Sequence, residues 1–214
     1  CLQGGFRVYQ TGSNDNNIVP AKFGNNKASA NYAVVGGGIN NTSSGCAAFI
    51  GGGARNTGSG FCSFIGSGTL NNAAGANTFL GGGFKNSVSG YYNTVVGGIC
   101  NCAIIQCSGF LGGGEQNTIS TGYCANVIVG GTQNHVCSVS AGAIVGGGTN
   151  SISYSSGNGF IGAGSNNTLS GGYNTVIVGG NRNKITSGGC SFIGGGAKNT
   201  GSASNIFIGS GVQN

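Results

Sequence analysis

The chain has 214 residues, of which 49 are Gly and 5% are charged; its formal net charge is +6, and it contains neither Trp nor Met. An average soluble domain is about 25% charged and about 7% Gly, so this is not the composition of an ordinary globular enzyme. A disordered Gly-rich chain is disfavoured too, because 38% of the residues are hydrophobic and disorder goes with low hydrophobicity.

Residues 1–23 hold the single Pro, Pro20, and are read as a lead-in segment. From 24 to 214 one unit recurs: two apolar residues followed at once by Gly. In chain order the doublets are Val34-Val35, Phe49-Ile50, Phe64-Ile65, Phe79-Leu80, Val95-Val96, Phe110-Leu111, Ile128-Val129, Ile144-Val145, Phe160-Ile161, Ile177-Val178, Phe192-Ile193 and Phe207-Ile208. Their glycines are 15 to 18 residues apart, and four or five residues after each comes an Asn, from Asn41 to Asn214. The chain has no Met and stops inside the pattern, so it is read as a piece of a longer polypeptide. It shows no signal peptide and no apolar run near 18 residues, so no membrane insertion is expected.

A unit this short cannot hold a helix pair, which takes more than about 30 residues. It fits two short strands and two turns. One strand carries the doublet. The other follows the Asn and carries an apolar residue in several copies: Val88, Ile119, Val136, Ile152, Leu169 and Ile185. Gly and Asn suit the turns, and stacked coils would set the asparagines in an amide ladder. The predicted fold is all-β: a parallel β-solenoid (β-roll or β-helix) of about 12 coils, each 15–18 residues long.

Adjacent strand residues face opposite ways, so each doublet sends one large apolar side chain inward and one outward. Repeated along the solenoid, the outward residues make a stripe larger than a monomer normally exposes. The core and oligomer columns are therefore assigned to Phe49, Ile50, Phe64, Ile65, Phe79, Leu80, Phe110, Leu111, Phe160, Ile161, Phe192, Ile193, Phe207 and Ile208. More than one chain is expected to share that stripe. The nine Cys are read chiefly as small buried filler, with disulfides between coils or chains as the alternative.

The segments 64–71 (FIGSGTLN) and 192–200 (FIGGGAKNT) resemble the Gly/Asn-rich repeats of bacteriophage tail-fibre shafts and the head repeats of trimeric autotransporter adhesins. Residues 6–20 (FRVYQTGSNDNNIVP) look like the lead-in that precedes such repeats. The resemblance implies a parallel homotrimer on a virion surface, or in an extracellular or cell-surface setting. Its partners would be itself and a host or cell-surface glycan or protein receptor. The expected role is a structural fibre shaft that spaces or presents a receptor-binding part. A bacterial adhesin or extracellular filament subunit is the alternative.

Catalysis, cofactors and metals are not expected. Glycoside hydrolysis uses two carboxylates about 5–10 Å apart, and the chain has only Asp15 and Glu115. His135 is the one His, no C-x-x-C occurs, and GGGAKNT lacks the spacing of a phosphate loop. An ice-binding face would need a regular Thr array, but the residue after the Asn varies: Thr57, Ser87, Cys102, His135, Lys184. Arg55, Lys85, Arg182 and Lys198 each precede a repeat Asn, so they form one column, read as solubility or as contacts to an anionic surface. Nucleic acid is not expected, because the charge is sparse.

Overall fold

The computed structural model describes residues 9–10, 18–20, 24–106, 108–122, 125–153 and 157–214. Most of the lead-in, including Asp15, and also Cys1, Cys107 and Cys124, lies outside the described residues. Within the lead-in, Tyr9–Gln10 pairs antiparallel with Val19–Pro20, and Ile18 forms a bridge to Val34 of the first coil.

From Lys27 onward the chain winds into a parallel β-solenoid with no helix among the described residues. Each coil gives one short strand to a first sheet, as Phe49–Ile50 does, and one to a second sheet, as Thr57–Gly58 does. Both sheets have twelve strands, and all their pairings are parallel and in register. Twelve rungs enclose about 11 full turns, a rise of about 50 Å at one strand spacing per turn.

The coil has a third side that two strands and two turns did not anticipate. Ile39, Ala54, Thr69, Phe84, Ile99, Glu115, Thr132, Gly148, Ser165, Asn181, Ala197 and Val212 form a column of single-residue parallel bridges. Each rung is one residue long because left-handed residues flank it. Around Ala54 they are Gly53 at φ 88° and Arg55 at φ 56°. A Cβ on Gly53 would stand 2.1 Å from the carbonyl oxygen of Gly68 in the next coil. That contact, more than backbone freedom, dictates Gly three residues before each repeat Asn from Asn41 to Asn199.

The repeat asparagines themselves are not the turn residues they were expected to be. None of the twelve from Asn41 to Asn214 has positive φ; the residue before each of them does. Asn41 through Asn199 are fully or almost fully buried. Their amides do form a ladder. The Oδ1 of Asn117 accepts the backbone N–H of Asn134 at 2.9 Å, and the Oδ1 of Asn134 accepts that of Asn150 at 3.0 Å. The Nδ2 of Asn134 donates to the carbonyls of Gly130 in its own coil and Gly147 in the next, both at 3.0 Å. The backbone link runs unbroken from Asn26 to Asn214.

Beside the asparagine ladder and a few small polar residues, the large interior side chains form two aliphatic columns. On the first sheet they run from Val35 through Ile50, Ile65 and Leu80 to Ile193, all buried. On the second, Val88, Ile119, Val136, Ile152, Leu169 and Ile185 are buried as the sequence implied. Where that column carries only Ala103 or Gly201, Ile105 is buried nearby and Ile206 lies against the glycine.

Register corrects the doublet frame in four coils. Leu80 pairs with Val95, Leu111 with Ile128, Ile128 with Ile144 and Ile161 with Ile177. In Val95-Val96, Ile128-Val129, Ile144-Val145 and Ile177-Val178 the first residue is therefore inward and the second is exposed. With this frame every inward residue precedes its Asn by six positions, from Val35 and Asn41 to Ile208 and Asn214. All variation in coil length falls between the Asn and the next inward residue. That stretch has the longer strands, such as Thr118–Gly122, His135–Val139 and Asn158–Ile161.

Two predictions follow from this geometry. Gly53→Ala should destabilise by about 2 kcal/mol or more, from left-handed strain and the carbonyl contact. Gly52→Ala, which meets nothing within 4 Å, should stay within about 0.5 kcal/mol of the wild type in urea unfolding. Asn134→Ala, which removes a partner from the buried Asn150 N–H and from the part-buried carbonyls of Gly130 and Gly147, should cost about 3 kcal/mol at roughly 1 kcal/mol each, read by the same assay.

Candidate interaction faces

The outward side of the first sheet is apolar along its length. Phe49, Phe79, Phe110 and Phe160 are about two-fifths exposed, and Phe207 is 76% exposed. Phe49, Phe64 and Phe79 stack with ring centroids 5.2 and 5.1 Å apart, and Phe192 stacks on Phe207 at 5.3 Å. The ring column is not continuous, because Thr94, Val127, Ala143 and Val176 take its place in the four reframed coils. In those coils a Val two residues later supplies the apolar surface instead: Val96, Val129, Val145 and Val178, each nearly half exposed. All seven Phe coils carry Gly at that later position. A Cβ on Gly112 would sit 3.4 Å from the Phe110 ring and 2.4 Å from the Val129 carbonyl oxygen. The apolar area thus moves between two adjacent positions and is present on every coil. Cross-strand aromatic and β-branched neighbours add stability within the sheet, but the exposed remainder is still large.

A second feature is the edge beside the asparagine ladder. Arg55, Lys85, Arg182 and Lys198 are exposed and share φ values of 55–58°, so they occupy one column, as their spacing implied. Lys85 Nζ lies 5.2 Å from the centroid of the Phe84 ring. Lys184, which the sequence reading did not place with them, follows Asn183 on the second sheet, paired with Thr168 and Thr200.

The outward side of the second sheet is mostly small and polar. It carries the one His: the Nε2 of His135 is 2.8 Å from the Oγ of Ser120 in the preceding coil. The sequence offered no signal for this pair except the coil period. A hydrolytic triad needs a carboxylate on the other ring nitrogen. Glu115, the one acid among the described residues, lies instead in the bridge column between Ile99 and Thr132.

The cysteines depart from the buried-filler expectation. Cys62 and Cys190 are exposed at equivalent left-handed positions, φ 50° and 55°, and Cys46, Cys100, Cys102 and Cys137 are half-buried. Left-handed corner positions face solvent, so a small side chain there fills no core. Cys46, Cys62, Cys100, Cys102 and Cys190 are free thiols, and Cys137 Sγ lies 3.1 Å from Thr121 Oγ1. Burial pushes the Cys102 thiol up from its ordinary pKa. Among the described residues no group of three His, Cys, Asp or Glu side chains could hold a metal ion.

No known protein family matches the chain, and no curated protein matches it. The faces themselves therefore carry the functional argument.

Partial burial holds the His135 pKa below its ordinary value of 6.5. The unfolded chain then takes up the proton first as pH falls, so stability should be full above about pH 6.5 and decline below it. Thermal melts across that range should show this decline in the wild type and a flatter profile in His135→Gln.

Proposed function

We propose that this chain is a structural fibre shaft of the tail-fibre kind, exposed on a virion, which spaces or presents a receptor-binding part for attachment. Parallel, in-register copies join through the apolar side of the first sheet. The observation that carries this reading is the exchange on that side between Phe followed by Gly and a smaller residue followed by Val. Packing within one coil does not require the outer surface to stay apolar at every level. A partner surface running the length of the rod does, because large exposed apolar patches mark interfaces. Parallel copies match levels with one another, so each apolar patch meets its own equivalent. Three copies is the number that the repeat resemblance implies. The role is mechanical and involves no bond-making step, cofactor or membrane insertion.

The cationic edge favours a second reading, a bacterial surface adhesin or extracellular filament subunit, in which the rod's own flank meets the target.

Sedimentation tests the assembly. The wild-type chain should run as a compact oligomer at micromolar concentration. Phe79→Thr with Phe110→Thr should shift it toward monomer, losing about 2 kcal/mol of association per buried ring. The fold should survive, since Thr94 already occupies that column. A stable, folded, soluble wild-type monomer at that concentration would overturn the shaft reading.

A further inference from the structure

We propose that the edge flanking the asparagine ladder is a binding site for an acidic polysaccharide, centred on Arg182, Lys184 and Lys198. The proposal does not rest on the shaft reading, because a single chain presents the same edge.

The first observation is how the charge is distributed. Eight Lys and Arg occur in the chain, and six of them are described. Every one of the six stands next to a ladder asparagine. Arg55, Lys85, Arg182 and Lys198 come immediately before one, and Lys27 and Lys184 immediately after. All six are exposed. Charge serving only solubility would be scattered over the three sides of the coil. Here, among the described residues, the positive charge is confined to one edge.

The second observation is the concentration of charge near residue 182. Arg182 and Lys198 hold equivalent places on successive coils: the Arg182 N–H donates to the Ser165 carbonyl, and the Lys198 N–H donates to the Asn181 carbonyl. Their backbones are one strand spacing apart, about 4.8 Å. Lys184 is on the same coil as Arg182, separated from it by the buried Asn183. Three like charges on two neighbouring coils repel one another. Glu115 sits four rungs away along the bridge column, through Thr132, Gly148 and Ser165 to Asn181. Among the described side chains the cluster therefore has no nearby counter-charge, and a multivalent anion would supply one.

The surroundings favour a sugar over a nucleic acid. Thr168 and Thr200 pair with Lys184 on either side. In the adjoining bridge column, Asn181 Nδ2 donates to Ser165 Oγ at 2.6 Å. These neutral hydroxyls and amides suit the hydroxyls of a glycan. Single-stranded nucleic acid binds through aromatic side chains that stack on its bases, and the bridge column at these coils offers Ser165, Asn181 and Ala197.

The test uses the whole chain, with hyaluronan as the carboxylated probe, dextran sulfate as the sulfated one, and neutral dextran and a DNA duplex as comparisons, at low and at physiological salt. The first variant is Arg182→Gln, Lys184→Thr, Lys198→Gln. Each replacement is a residue that the repeat already uses in that column, at Gln116, Gln133 and Thr168, so the fold is retained and a melting curve verifies it. The second variant is Arg55→Gln, Lys85→Gln. Salt-weakened binding of either acidic polysaccharide, reduced about tenfold or more by the triple variant and about twofold by the pair, is the expected result. Which of the two probes binds tells carboxylate from sulfate recognition. The proposal is overturned if the triple variant binds like wild type, if the pair loses as much as the triple variant, if neutral dextran binds equally, or if the duplex binds more tightly than both acidic polysaccharides.

Discussion

The architecture depends on what one buried side-chain amide does at each turn. The asparagine oxygen takes the backbone N–H of the next asparagine, and its nitrogen holds one carbonyl in its own coil and one in the next. A buried amide left without partners would cost free energy; here it supplies partners to backbone groups at a corner where no sheet runs. The glycine three residues earlier is bound to this arrangement, because any side chain there would strike the carbonyl of the following coil. The left-handed residue just before the asparagine turns the chain back inward, and its own side chain is left facing water. One interaction thereby fixes an interior position, a glycine and an exposed column.

Much of this was legible in the sequence. Gly-anchored doublets at a near-constant period announced a parallel solenoid, and the alternation of strand side chains put Ile50 inside and Phe49 outside. Three things were misread. The doublet frame slips by one in four coils, because Val96, Val129, Val145 and Val178 are apolar residues on the outer surface that look like core in a pattern of apolar letters. The four- or five-residue offset from glycine to asparagine recorded that slip. The third side of the coil has no apolar signature, since its rungs are as varied as Phe84, Glu115 and Gly148. The asparagine was placed in the turn on its general preference for left-handed backbone, yet Arg55, Lys85 or Leu70 takes that conformation instead, because a buried amide ladder is worth more than the strain it imposes on the preceding residue.

The faces could be ranked only in part. The basic column was visible as residues at one offset from the asparagine. Lys184 lies on the far side of that asparagine, two residues from Arg182, and Lys198 joins them only when the coil is closed. The pairing of Ser120 with His135 likewise exists only between coils, and no local motif marks it.

The six residues from each inward aliphatic to its asparagine never change in number, whereas the return to the next inward residue spans nine to eleven. Along the rod, then, one flank keeps a fixed pitch while the other takes up slack. The hydrogen bonds of every rung lie parallel to the axis, so bending or squeezing the rod is resisted by many of them together. A pull on one terminus along the axis is different. Repeat structures hold through nearest-neighbour contacts, so the force falls on the last rung alone until that rung peels away. Taken as a mechanical element, a single chain of this kind is a strut rather than a rope.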